Sequence, residues 1–461
     1  MFVKRFSYIL VFVALCTLLK AQVDSVSTLL PEDSVITGLS ADSLLITAPP
    51  DSLPEPELIN DLSSEAAIAE DLSYRYYLSK EWTKLLPYTQ KQFRTGNDYY
   101  FMRMRAGIAA YELKQYREAC LHFEKALDFK PNDDIALEYL YFALVYSERG
   151  DEALQLRRKF SAELKQRLGI KHDSALMSVY NETGLKTTDN ANFGNAVYTQ
   201  LNVQHNVNGR FSLLHSGNYF TQTEKRFSVE QSQYYLRATV PLKRGFGFVL
   251  AGHAIQMDLQ ERKAYTTTVV ASVPADPRFP NSNDTKTIVA SVSAESLTPV
   301  QRQSYIACAA VTQEQKLFSW QLGASYAQLD TTTQLQVNIN AQVFPFKNNS
   351  LVLGSNVYWH QEKQNTAVAI VPYVVWHPVQ KLYLTAAWFT NTGNNISEYN
   401  AQLFTNSIDY TRQRYRASLY YGIQTRLWMF GTVGYELKEH IIDNYTYAYY
   451  IYAVGLKLSF H

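Results

Sequence analysis

Three cysteines in a chain of 461 residues leave no disulfide framework to read. Cys16 lies in an N-terminal apolar stretch, and Cys120 and Cys308 fall in chemically unlike segments, where two isolated thiols are expected. Charge is balanced: 43 Lys and Arg against 42 Asp and Glu give +1. No bulk field therefore recruits nucleic acid or another polyanion. After Leu19 no apolar run reaches the roughly 18 residues of a membrane helix. Catalytic signatures are also missing. The chain has no HExxH, no Gly-rich phosphate loop and no CxxC, and its nine His are scattered. No cofactor, metal or enzymatic activity is expected. A rim hydrolase would have to use His215-Ser216, or His360 with Glu362, and chance explains both better.

What is present begins with a secretory signal over residues 1–21. Lys4 and Arg5 precede an apolar run from Phe6 to Leu19, and Ala21 offers a small residue for cleavage. Residues 22–64 read as a disordered acidic linker. No Lys or Arg occurs between Ala21 and Tyr74. Asp-Ser followed by Val or Leu recurs at Asp24, Asp33, Asp42 and Asp51, and five prolines punctuate the stretch. Such a segment cannot bury enough apolar area to fold alone. It serves as a tether or as an anionic docking arm.

Over 65–170 the pattern turns helical. Gly107, Ala119, Phe123, Ala126 and Pro131 fall at spacings that resemble one tetratricopeptide repeat. The physics fits: Gly107 and Ala119 permit close helix approach, Phe123 and Ala126 cover them, and Pro131 cannot extend the second helix. A second unit starts near Asp134, with Gly150 at its turn, Ala153 at the small position and Arg157 where the aromatic would be. A looser pair spans about Ala66 to Asp98, giving roughly three repeats, near the minimum for a stable stack. The resemblance implies a domain that binds protein segments in a groove, a periplasmic one if the chain is exported.

From 174 to 461 the apolar period becomes two. Leu335, Val337, Ile339, Ala341 and Val343 alternate with Gln336, Asn338, Asn340 and Gln342. A polar face of amides and long strands suit a hydrated lumen better than a soluble sandwich, and 34 Tyr suit membrane interfaces. Short turns are expected near Asn208-Gly209, Lys243-Gly245, Gln315, Pro345-Asn349, Pro378-Lys381 and Arg426-Trp428. Seven longer links interleave with them: 188–195, 223–229, 263–300, 330–333, 364–366, 395–410 and 442–445. That count predicts a transmembrane antiparallel β-barrel of about 14 strands with both ends on the short-turn side. Pro372 inside a strand predicts a bulge or offset. The link 263–300 should be an exposed β-ribbon, either projecting or folded in as a constriction.

The terminal strand, with Tyr452, Leu456, Leu458 and Phe460 on one face, resembles the C-terminal insertion signal of outer-membrane barrels, although His461 follows the Phe. Arg412, Arg414 and Arg416 share a strand face. With Arg237 and Lys457 they are expected to face the lumen or its rim, because a charge on the lipid side costs about 2–4 kcal/mol at mid-bilayer. There they would attract anionic cargo, brace an acidic plug, or pair with wall acids such as Glu436. Helical repeats fused to a C-terminal barrel resemble the surface lipoprotein assembly modulators, and less closely the exopolysaccharide export porins, which have longer repeat arrays. The architecture implies an outer-membrane protein that contacts lipid and a protein partner or cargo. It would translocate or assemble a macromolecule at the surface, or serve as a non-channel scaffold.

Overall fold

A computed structural model describes residues 64–460, apart from 171–174, 191–192, 225–226, 275–284, 330–331, 364, 394, 405–408 and 441–443. The expected signal segment and nearly all of the acidic stretch lie outside the described residues.

Seven helices come first: α1 Ser64–Leu78, α2 Trp82–Arg94, α3 Tyr100–Glu112, α4 Tyr116–Phe129, α5 Asp134–Tyr146, α6 Gly150–Leu156 and α7 Ala162–Arg167. Their turns repeat. Lys80, Lys114 and Glu148, two steps of 34 residues, each take the left-handed conformation at φ 55°, 57° and 59°. Each turn closes with the same bond from the next backbone N–H back across the helix end: Glu81 to Tyr76, Gln115 to Ala110 and Arg149 to Leu144. This ties up carbonyls that the ending helix leaves without partners. Asp133 caps α5 by accepting from the Ala136 N–H at 2.8 Å, and Ser161 caps α7 from Leu164 at 3.0 Å.

The core of this stack holds Ala119, Phe123 and Ala126, all fully buried. Phe123 stacks on Tyr139 with centroids 5.3 Å apart. A Cβ on Gly107 would lie 2.5 Å from the Phe123 ring, so only glycine allows α3 and α4 this approach. Ala153 is buried in the next pair, and Pro131 stands exposed between α4 and α5. Arg105 crosses from α3 to α1, bonding Glu70 at 2.5 Å and the Ser73 hydroxyl at 2.8 Å.

The rest is β. The strands are β1 Leu176–Thr187, β2 Ala196–Val207, β3 Phe211–Thr223, β4 Phe227–Pro241, β5 Phe246–Pro274, β6 Thr285–Glu314, β7 Phe318–Leu329, β8 Thr332–Val343, β9 Leu351–Glu362, β10 Asn365–Val379, β11 Leu382–Gly393, β12 Ser397–Glu398, β13 Leu403–Phe404, β14 Tyr410–Gly422, β15 Leu427–Glu439 and β16 Thr446–Ser459. All but β12 and β13 pair antiparallel in chain order, and β16 returns to β1, closing a barrel of 14 strands. Each expected short turn and long link overlaps the junction of two successive barrel strands, although 263–300 lies mostly within β5 and β6. Leu335, Ile339 and Val343 of β8 are exposed on the outer surface while Gln334, Gln336 and Asn338 are buried inside. Apolar outside and amide-lined inside is the build of outer-membrane barrels.

One expectation here needs adjustment, and one open choice is resolved. The ladder from β10 to β9 runs unbroken through Pro372↔Ser355, and toward β11 the register is the same on either side of it, Ile370↔Thr390 and Tyr373↔Ala387. Pro372 makes no bulge; the irregularity sits between Trp376 and Val379, beside Pro378. The 263–300 link is a ribbon that projects. β4 accompanies β5 as far as Glu261 and β7 accompanies β6 from Ser304, and beyond these β5 and β6 pair with each other out to Pro274↔Thr285.

Candidate functional site

The lumen is narrowed from both ends. At the short-turn end the α3–α4 and α5–α6 turns press against the barrel rim. Arg117 at the start of α4 reaches Glu314 at 2.5 Å and donates from Nε to the Gln315 carbonyl at 3.0 Å, over the face of Phe344. Lys347, in the β8–β9 turn, bonds Gln115 at 2.9 Å and Glu118 at 2.5 Å. Asn348 and Asn349 donate to the Lys114 and Ser147 carbonyls at 2.9 and 3.0 Å. α6 adds Gln155 to the Pro241 carbonyl at 2.9 Å, and its Asp151 accepts from Ser212 at 3.1 Å. Burial alone would raise the Glu118 carboxyl. The Lys347 hydrogen bond and the charges of Lys347 and Lys316 instead hold it below the ordinary carboxylate value. The left-handed tip Glu148 accepts from Tyr383 of β11 at 3.2 Å and lies 3.7 Å from His377 of β10.

From the long-link end, residues 395–404 fold inward as a small hairpin, with Ser397 paired to Phe404. Its backbone is held like a strand by one wall side chain: Gln336 donates to the Ser397 carbonyl at 2.7 Å and accepts from its N–H at 3.0 Å. Tyr399, Asn400 and Ala401 all have positive φ, 52°, 59° and 66°. Consecutive left-handed residues with side chains persist only when the surroundings impose them. Here Tyr235 donates to the Asn400 carbonyl at 3.0 Å, and His253 to that of Ala401 at 2.6 Å. Ile396 packs among Tyr358, Val371 and Phe389, and Phe404 among Ile255, Ile306 and Leu329. Arg414 forms an ion pair with Glu398 and so braces the hairpin.

Beside the hairpin a cavity of about 1700 Å³ remains. Arg237, Arg414, Arg416 and Lys457 line it. Arg412 does not face it. A bulge between Thr411 and Gln413 reverses the alternation, so Thr411 bonds Glu436 inside at 3.0 Å while Arg412 turns outward to pair with Glu439. Glu436 is met by Lys186 at 2.8 Å. Tyr180 and Tyr198 both donate to Glu182. Tyr452 and Leu456 face outward, and the Phe460 N–H bonds Met177, carrying the β16 ladder past its last strand residue. His215 lies on the outer face against Tyr234 at 2.7 Å while Ser216 is buried on the inner one, so the two cannot act together.

Sequence reasoning missed the hairpin's anchors and the docking residues Glu118, Glu148 and Lys347. The apolar Ile396, Leu403 and Phe404 mark the link as one that buries side chains, but not the direction in which it folds.

The fold and lumen define a 14-stranded barrel of outer-membrane build carrying an N-terminal helical stack. No family model and no curated protein matches the chain. Among solved structures it is similar to the P. putida toluene transporter TodX, at 8% identity over 64% of this chain and 92% of that one, TM-score 0.38. A Pseudomonas aeruginosa FadL homologue is similar at 10% identity over 62% and 90%, TM-score 0.37. A bacterial polysaccharide outer membrane secretin is similar at 9% identity over 63% and 100%, TM-score 0.34. Scores this low bear on no residue or ligand, and the barrel rests on its own strand pairing.

Proposed function

We propose that the chain is a gated outer-membrane transport protein. Its helical stack lies in the periplasm and acts in translocation or surface assembly of a macromolecule, a protein or lipoprotein. The carrying observation is the narrowing of the lumen from both ends, by the docked Ser147–Arg149 turn at one and the inward 395–404 hairpin at the other. In this reading residues 1–21 are a cleaved signal and 22–64 a tether. The stack is a three-unit tetratricopeptide array, supported by the 34-residue recurrence of its turns. The second and third turns engage the barrel, and the helical stack captures cargo or a chaperone.

The same narrowing favours a second reading, a barrel that conducts nothing and anchors a larger assembly. Planar-bilayer recording of the full chain separates them. Silence from the wild type, with discrete openings once 397–404 is replaced by a short Gly-Ser link or the stack is released by Glu118→Lys, supports the gated transporter. Silence from all three supports the scaffold. Deletion of the protein should then strand a specific surface protein in the periplasm, and an unchanged surface proteome would count against the transport reading.

A further inference from the structure

The six short turns of the barrel span 208–210, 242–245, 315–317, 344–350, 380–381 and 423–426. Every one carries Lys or Arg, and none carries Asp or Glu. Composition does not explain this, because the chain holds 43 Lys and Arg against 42 Asp and Glu. The helical stack answers part of the charge. Arg244 pairs with Asp128 at 2.9 Å, and Lys316 and Lys347 pair with Glu118 at 3.6 and 2.5 Å. Arg210, Lys243, Lys381 and Arg426 are exposed and make no ion pair among the described residues. In the order of the closed barrel their turns follow one another, β10–β11, β14–β15, β2–β3 and β4–β5. They form one arc on the side away from β6–β9.

Each cation of the arc has an apolar neighbour. Leu242 directly precedes Lys243, and Val379 and Ile423 stand shortly before Lys381 and Arg426, all three exposed. Half-buried Phe211 directly follows Arg210. Apolar side chains at the end of a barrel wall belong to its lipid-facing band. A Lys or Arg beside them lays its stem along the same surface and lifts its charge to the level of the head groups. The anions at that level are phosphates. A soluble acidic partner would meet the cations and leave the aliphatic neighbours in water. At the β2–β3 turn the charge is reinforced, since Gly209 has no Cβ and the stem of exposed Arg158 lies against it; a Cβ there would stand 3.1 Å away.

We infer that this arc binds the head groups of anionic phospholipid in the leaflet that meets the short turns. The inference rests on the membrane-spanning reading of the barrel. It divides the rim between two tasks. Arg244, Lys316 and Lys347 seat the stack, and the arc seats the barrel in lipid, with neighbours Lys243 and Arg244 serving one task each.

The test uses the full chain in phosphatidylcholine bilayers, with phosphatidylglycerol or phosphatidylcholine spin-labelled on the acyl chain as probes. Lipid against the barrel wall gives a motionally restricted spectral component. That component should favour phosphatidylglycerol by about fivefold, the factor that one cation near an anionic surface supplies. The preference should fall toward parity in concentrated salt. Arg210→Gln, Lys243→Gln, Lys381→Gln and Arg426→Gln together should abolish it, and each alone should lower it partly. Lys363→Gln, the same change in the β9–β10 link at the opposite rim, should leave it intact. Heat-modifiable gel mobility verifies that each variant is folded. Equal restricted fractions of the two lipids in the wild type, or a preference that survives the fourfold change, overturns the inference and leaves the membrane span standing. Absence of restricted lipid of either kind overturns both. Neither readout depends on conductance or export, so a barrel that transports nothing can still pass this test.

Discussion

A methyl group at Gly107 would lie 2.5 Å from a ring that is itself stacked on Tyr139 and fully buried. Gly107→Ala gains about 1 kcal/mol in helix propensity. It loses about 1–3 kcal/mol by overpacking. The overlap should win, lowering the melting temperature of the helical signal by circular dichroism; an unchanged or raised melting point would refute the close approach. On either side of Phe123 in the chain, His122 and Glu124 respond to pH in opposite senses. Burial lowers His122 from 6.5 to about 4, so the unfolded chain binds the extra proton and stability is lost as pH falls from 6.5 toward 4. Burial raises Glu124 from 4.5 to about 6, so the folded state binds the extra proton and stability is gained as pH falls over that narrower window. The larger shift dominates at roughly 3 kcal/mol against 2. The stack should weaken in acid, and His122→Leu should remove that weakening or reverse it in a melting series from pH 7 to 4. Gly107 and Phe123 were legible in the sequence because helix spacing is local. Arg412 was not, because the bulge that turns it outward comes from pairing with β15 rather than from its own neighbours.

Elements divide the same way. Fourteen strands could be counted because each turn carries its own chemistry, from Asn208-Gly209 to Pro378, and because amide and aliphatic residues alternate within one strand. The inward hairpin could not. Its bonds join Gln336 to Ser397, 61 residues apart, and Tyr235 to Asn400, 165 apart. No pattern in 395–410 states which way that link folds. The structure does say what holds it. Arg414 and Glu398 are buried together, and removing one partner of such a pair leaves a buried charge that costs about 3–5 kcal/mol. Arg414→Met should therefore loosen the hairpin and let 397–404 exchange amide hydrogens faster, while β14 keeps its protection. Protection that persists at Ser397 and Glu398 would mean the pair does not hold the hairpin.

At the scale of the whole molecule, the parity of the strand count put both barrel ends on the short-turn side, and the helical stack docks there. The docking itself was not legible. Glu118 and Lys347 are 229 residues apart, and each reads alone as an ordinary surface charge. In place, Glu118 is fully buried and held below its ordinary pKa, so its contribution is complete above the usual carboxylate range and disappears as pH falls through the depressed value. Glu118→Lys sets it against Lys347, Lys316 and Arg117. That should release the stack from the rim, exposing the α3–α4 turn to limited proteolysis, while the barrel keeps its heat-modifiable mobility. Lys347→Glu alone should also loosen docking. The double exchange restores the attraction with its sign reversed, and a coupling of about 1–3 kcal/mol is expected in the cycle. If the two effects simply add, the Glu118–Lys347 contact does not carry the docking. The load would then fall on Arg117 with Glu314 and on the turn carbonyls that Asn348 and Asn349 reach, and Arg117→Ala would be the variant that frees the stack.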